Sequence, residues 1–291
     1  MLIQEIAPGI LVGTGLIGAN VGLITTGGGT VLVDAPWIPD QARAWRAEVE
    51  RRSAHGVSYL INTDYHLDHL LGNCFLPPAV VVAHEATCKH LRALDLAVLI
   101  EKAVEQNGAQ VPDLAQQLAG VHLIHPTLTV GKSMTLWCPE RRVDVLFLGG
   151  HSAATLGVHL PEEGVLFAGD LVVSGSHPYV GDANSRQWIE SLRFVRAMDV
   201  KTIIPGHGEP GGMEIVDTIY NYMTELRGRV EACFQAGHTR RETVERVRPL
   251  GAFPIAPGDE EHARRLLRSG VERIYDEIKK EAIRNRQRLQ G

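Results

Sequence analysis

The sequence predicts an α/β fold of two sheet-and-helix halves with a helical extension at its end, and three observations support that reading. Short apolar runs bounded by turn residues alternate with stretches of helical periodicity, in a β-α-β order, over the first half. The second half repeats that order. Beyond Gly212 the strand-like runs stop and helical periodicity takes over. Residues 1–212 therefore read as one domain, and 213–291 as a helical extension packed on it or lying at a subunit interface. A length of 291 residues suits one large domain with such an appendage, and 44% apolar with 22% charged residues excludes a disordered or fibrous chain.

Residues 10–34 hold short apolar runs broken by TTGGGT, a hairpin that ends in VLVDAP. Those glycines invite a phosphate-loop reading, but no GK[ST] follows and no helix opens there, so a hairpin turn is expected. Asp40 to Ala54 predicts a helix, with Ala42, Trp45 and Val49 at helical spacing and Gly56 closing it. VSYLINT then reads as a buried strand and AVVVAH as another, followed by a helical stretch over 85–119 that breaks at NGAQVP. In the second half VDVLFLG, LGVHLP and GVLFAG are strands. SRQWIESLRFVRAM is a helix with Trp188, Leu192 and Val195 on one face, and VKTIIPG is the final strand. Helices follow at 213–236, 239–248 and 259–286. In the last of them Leu267, Val271, Ile274 and Ile278 form an apolar stripe that either the core or a second subunit must cover.

A net charge of −5 offers no basic surface for a nucleic-acid backbone, and no apolar run approaches the roughly 20 residues of a spanning helix. A small-molecule substrate is the expected partner, with neither nucleic acid nor membrane. Cys74, Cys88, Cys138 and Cys233 are widely spaced and form no CxxC pair, as free thiols in a reducing compartment would be. The apolar stretch ILVGTGLIGANVGLI lacks the basic start of a signal peptide, so the cytoplasm is the expected location.

Four places share one grammar, an apolar strand, a tight turn and then a metal-competent residue: VSYLINTDYHLDH, VDVLFLGGH, GVLFAGD and VKTIIPGH. Side chains at the carboxyl ends of neighbouring strands converge on one sheet edge. Asp64, His66, Asp68, His69, His151, Asp170 and His207 can therefore meet in space. Such a set suits two metals. Imidazole and carboxylate together, with no nearby cysteine, favour zinc, iron or manganese over a thiolate-rich structural zinc site.

These segments resemble the metallo-β-lactamase superfamily, whose signature is H-x-H-x-D-H followed by single His, Asp and His ligands on later strands. The resemblance runs over roughly residues 10 to 210 in the right order, and Asp64 alone departs from the signature by standing where the first histidine would be. It implies an αββα sandwich with a dinuclear centre of two divalent transition-metal ions, zinc foremost and iron or manganese as alternatives. It places Asp64, His66 and His151 on one metal, Asp68, His69 and His207 on the other, and Asp170 as the bridge. A metal-bridging hydroxide would attack a small-molecule ester, thioester or lactone, with Asp68 orienting the water or passing a proton to the leaving group. Asp170 resembles the bridging aspartate of glyoxalase II, lactonases and phosphodiesterases, whereas true β-lactamases commonly have cysteine or serine there. The alternatives within the superfamily are a mononuclear iron, persulfide dioxygenase-like oxidoreductase and a phosphodiesterase or β-lactamase-type amide hydrolase.

Two readings of Asp64 stay open, ligation of the first metal or capping of its own loop through backbone N–H groups. His177 and Tyr179, a few residues past Asp170, are candidates for the substrate pocket or for loop packing. His84, between a strand and a helix, reads as structural. Ser152 follows a ligand histidine, but its surroundings are devoted to metal and not to a serine triad. Trp37 and Trp45 read as packing residues.

Overall fold

The first sheet has seven strands in simple chain order: β1 (Leu2–Ala7), β2 (Ile10–Thr14), β3 (Val21–Thr26), β4 (Gly29–Val33), β5 (Val57–Ile61), β6 (Val80–His84) and β7 (Leu128–Val130). β1 to β4 pair antiparallel, β1–β2 and β3–β4 through tight turns and β2–β3 through the loop 15–20, and β4 to β7 pair parallel. Parallel neighbours need crossovers. α1 (Pro39–Arg52) supplies the first, α2 (Leu67–Leu70) lies in the second, and α3 (Glu85–Ala93), α4 (Leu96–Asn107) and α5 (Leu114–Gln117) fill the third. The second sheet orders β12 (Thr202–His207), β11 (Val165–Val173), β10 (Leu156–Leu160), β9 (Arg141–Phe147) and β8 (Ser133–Cys138). Its one parallel pair, β11 with β12, is joined across α6 (Ser185–Arg196). This computed structural model describes residues 1–290 apart from 77–79, 249–250, 256–257 and 259.

Period-two alternation decides the layers. In β4, Val31 and Val33 point inward while Leu32 points out; in β11, Val165 and Phe167 point inward while Leu166 and Ala168 point out. The inward sets meet between the sheets with Ile10, Ile24, Ile61, Val82, Val143, Val145, Val158 and Ile204. The outward side of the first sheet is covered by Trp45 and Val49 of α1. The outward side of the second is covered by Trp188, Leu192 and Val195 of α6. This is an αββα sandwich.

The extension comprises α7 (Met213–Gln235), α8 (Arg240–Arg246) and α9 (Glu260–Gln290). Its apolar residues join the α6 side of the second sheet: Ile219, Met223 and Leu226 of α7 share one cluster with Leu267, Val271, Ile274 and Ile278 of α9. The stripe on α9 is thus covered within the protomer, which removes the reason for assigning it to a subunit interface.

Some strand limits differ from expectation. β1, β7 and β8 are additional edge-side strands, whose exposed residues leave little apolar pattern to read. β5 stops at Ile61, before Asn62 and Thr63, and β11 continues past a break at Gly169 to Val173, so that Asp170 lies within a strand and not at its end. The first residues of the expected segments 79–84 and 259–286 lie outside the described residues.

Candidate metal centre

The loop after β5 carries the DxHxDH stretch and is pinned by its own backbone. His69 donates its N–H to His66 O (3.1 Å), Ala35 N–H reaches His69 O (2.9 Å), and the Asn62 amide also donates to His69 O (2.9 Å). His151 follows Gly149 and Gly150; Gly150 has φ +102°, and a Cβ there would stand 2.4 Å from Trp188 Cα, so only glycine fits that turn. A Cβ on Gly206 would fall 1.8 Å from Asp170 Oδ1, and its absence lets β12 run directly beside the Asp170 carboxylate. Asn20 clasps this edge from the first sheet. Its backbone N–H donates to Gly206 O (2.7 Å), and its amide donates to Pro205 O (2.9 Å) and Gly208 O (2.7 Å).

The seven residues named from the sequence gather into two groups. Asp64, His66 and His151 form one, and Asp68, His69 and His207 the other, with donor atoms in each within 4.8 Å of one another. Asp170 stands between them: Oδ1 lies 3.4 Å from His69 Nε2 and 3.3 Å from His207 Nε2, while Oδ2 lies 3.3 Å from His151 Nε2. Within the groups, His66 Nδ1 is 3.1 Å from Asp64 Oδ1 and 3.2 Å from His151 Nε2, and His207 Nε2 is 3.3 Å from Asp68 Oδ2.

These spacings fit metal ions. Donors bonded at about 2.0–2.1 Å to a tetrahedral ion stand about 3.3 Å apart. The buried Nε2 of His69 and Oδ1 of Asp170 have no hydrogen-bond partner, although buried polar atoms rarely go without one. Tautomers point the same way. Asp34 Oδ2 accepts from His69 Nδ1 (2.9 Å) and Asp182 Oδ2 from His66 Nε2 (3.1 Å), which turns the lone pair of each ring's other nitrogen toward its group. A lone pair, a second imidazole and a carboxylate brought together in this way make each group a candidate site for a cation.

The electrostatics agree. Burial disfavours the imidazolium form of His66 and His207, yet the carboxylates around them raise both to about 10. Burial likewise pushes Asp64 and Asp170 upward, but the facing histidines overcome it and hold both carboxyls low. His151 stays below its ordinary value, because burial prevails there over the charges of Asp170 and Asp64. The cluster attracts positive charge.

Asp64 satisfies parts of both open readings. Oδ1 accepts the N–H groups of Tyr65 (2.8 Å) and His66 (3.3 Å), and Oδ2 accepts the hydroxyls of Ser152 (2.7 Å) and Thr155 (2.9 Å). The carboxylate is wholly buried, but Oδ1 also lies 3.1 Å from His66 Nδ1, and Asp64 shares its group with His151.

Tyr179 stands at the mouth, 41% exposed, with its ring centroid 5.9 Å from that of His66 and 6.2 Å from that of His151. His177 is not brought to the groups. It packs against Tyr222 and Phe253 and lines a separate cavity with Pro254 and His262. His84 is structural: its Nδ1 accepts Ala86 N–H (3.2 Å) to cap α3, its Nε2 lies 3.3 Å from Gly131 O, and its ring stacks on Phe147. Trp37 and Trp45 are buried in apolar clusters. Asp34, Asp182 and Thr155 were not anticipated as parts of the site. Asp34 ends the apolar run VLV and so shares the strand-then-acid grammar of the ligands, whereas Asp182 has no such signal.

A family model of the metallo-beta-lactamase superfamily matches residues 14–207, a span that contains both groups and Asp170. The chain belongs to the metallo-beta-lactamase superfamily. Among superfamily relatives, a hydroxyacylglutathione hydrolase of Erythrobacter litoralis (strain HTCC2594) is 24% identical over 150 residues, covering 51% of this chain and 47% of that protein. A metallo-beta-lactamase type 2 of Bacillus cereus is 26% identical over 195 residues, covering 65% of this chain and 66% of that one. Among solved structures, the inverting sec-alkylsulfatase Pisa1 from Pseudomonas sp. superposes with a TM-score of 0.75 at 18% identity, over 94% of this chain and 49% of that one. The chain therefore spans about half the length of the hydrolase and of the alkylsulfatase. No helix among the described residues is long and apolar enough to cross a membrane.

Proposed function

We propose that this superfamily member is a dinuclear metal-dependent hydrolase of small-molecule esters, thioesters or lactones. The observation that carries the reading is Asp170, whose two oxygens face the two groups separately, as a bridging carboxylate must. Asp64, His66 and His151 would hold one ion and Asp68, His69 and His207 the other. Divalent ions so placed lower the pKa of a shared water and polarise the oxygen under attack. Four imidazoles and three carboxylates suit zinc, with iron or manganese as harder alternatives.

The chain's own groups set the rest. Asp34 and Asp182 fix two imidazoles in orientation. Asp68 Oδ2, beside His207 Nε2, is the carboxylate able to carry a proton to the leaving group. Asp64, Asp68 and Asp170 would offset most of the charge of two bound divalent ions, and Asp182 adds a carboxylate at the rim. Such a mouth favours neutral substrates over phosphodiesters or sulfate esters. The likeness to a hydroxyacylglutathione hydrolase supports an acyl-transfer chemistry of this kind.

Elemental analysis of protein purified without added metal, followed by a screen of ester, lactone, thioester, phosphodiester and sulfate-ester substrates, tests the reading. About two ions per chain and chelator-sensitive turnover of an uncharged ester, thioester or lactone are expected. A single iron with oxygen consumption would establish the dioxygenase alternative instead.

A further inference from the structure

We infer that Asp182 is the positioning residue for His66, and that the last helix, α9, holds Asp182 in place; the inference rests on His66 being a ligand of the first metal. A neutral imidazole carries one N–H. Asp182 Oδ2, 3.1 Å from His66 Nε2, takes that N–H and leaves the Nδ1 lone pair facing Asp64 and His151.

Asp34 does the same for His69 at the second group, but the two carboxylates are held very differently. Asp34 is 2% exposed and also accepts Thr63 N–H (2.7 Å) and Thr63 Oγ1–H (2.6 Å), which lock its carboxylate. Asp182 is 47% exposed, and among the described residues its side chain has no hydrogen bond except that to His66. Its position must therefore come from its backbone.

That backbone is fixed largely from α9. Gly270, Arg273 and Glu277 lie three and four residues apart and so share one helix face. Gly270 lets the helix approach closely, since a Cβ there would stand 3.1 Å from Val180 Cβ. Arg273 Nε donates to Ala183 O (2.6 Å), the carbonyl next in sequence to Asp182. Glu277 accepts from Ser185 N–H (3.0 Å) and Ser185 Oγ–H (2.5 Å). Arg227 of α7 secures the same corner by donating to Ser185 Oγ (2.7 Å) and to Glu281 (2.9 Å). Besides the Asp182–His66 bond, the bond from Asn184 N–H to Gly150 O (2.8 Å) ties this stretch back to the loop that carries His151. The helical extension is thus a clamp on the segment that presents Asp182, and through it part of the first metal site.

The test is titration of the metal-free, full-length protein with Zn²⁺ against a chromophoric chelator, for the wild type and the Asp182→Ala, Asp182→Asn and Arg273→Ala variants. The wild type should take up two ions, and a lower stoichiometry there would count against the dinuclear reading and not against this one. Asp182→Ala should weaken one ion by about ten- to a hundredfold and leave the other unchanged. Asp182→Asn, which keeps an acceptor oxygen, should recover part of the loss and provides the readout if the alanine variant does not fold. Arg273→Ala should weaken the same ion by a smaller factor, with the circular dichroism spectrum unaltered. Wild-type affinity in both Asp182 variants, or equal weakening of both ions, would overturn the role of Asp182. Undisturbed binding in Arg273→Ala would overturn the clamp.

Discussion

At the residue scale Asp64 is the informative departure. Ser152 and Thr155 donate hydroxyls to it, so the pocket around position 64 is built for a carboxylate and not merely tolerant of one. Ser152 Oγ and Thr155 Oγ1 also lie 3.2 Å apart, so Asp64→His would leave one hydroxyl without an acceptor, and it should restore the family's usual ligand set only at a cost of about 1–3 kcal/mol. Asp64→Asn keeps the shape and removes the charge. It should lower affinity for one ion by at least about tenfold and spare the other, as metal titration would reveal. An unchanged affinity would make Asp64 a loop cap alone. His84 offers a separate check. Burial holds it below the ordinary value of 6.5, so the folded state prefers the neutral ring that caps α3. The unfolded chain then binds the proton more readily, so the stability this residue contributes is fully present above pH 6.5 and is lost as the pH falls through its folded value. His84→Leu should cost about 1 kcal/mol at neutral pH and flatten that acid slope in denaturant melts. The ligand histidines and aspartates were legible because each follows an apolar strand and a turn. Asp182 was not, because it comes 116 residues after its partner and from a segment with no strand to announce it.

Among the elements, those with one buried face were readable and the edges were not. α6 shows the reason, since Trp188, Leu192 and Val195 repeat at helical spacing and all three are fully buried. β8 shows the converse: at the sheet's end it leaves Trp137 78% exposed, so its residues follow no core-facing pattern. Trp188 also donates its indole N–H to Leu171 O (2.8 Å) and meets the His151 ring edge-on at 5.2 Å. Trp188→Ala should therefore cost about 3–5 kcal/mol in chemical denaturation, and it should loosen the first metal as well. Stability loss with metal affinity intact would separate the helix from the site. The extension is more than a cap on solubility, because α7 and α9 supply the wall of the core on which α6 rests. Removing residues after 212 should leave a chain that no longer melts cooperatively, although every residue of the two metal groups is retained.

For the whole molecule, the metal groups draw on both sheets, so ions that bind only the assembled form stabilise everything at once. Saturation about a thousandfold above the dissociation constant adds about 4 kcal/mol, and chelation should lower the thermal midpoint by several degrees. The Asn20 clasp should govern how that stabilisation divides between folding and unfolding. Its amide bond to Gly208 O joins positions 188 residues apart, so it closes one of the longest loops in the chain. Closing a loop of that length costs entropy that only the surrounding contacts can offset, and the clasp should form after the folding barrier is crossed. The sheet edge carrying His207 would then be complete only on the native side of that barrier. In stopped-flow measurements on metal-free and Zn²⁺-loaded protein, refolding rates should coincide, while unfolding should be slowed by nearly the whole equilibrium gain. Faster refolding with metal would mean that the clasp is already closed in the transition state. Late closure makes resistance to loss of the native state, and not speed of reaching it, the property that bound metal controls.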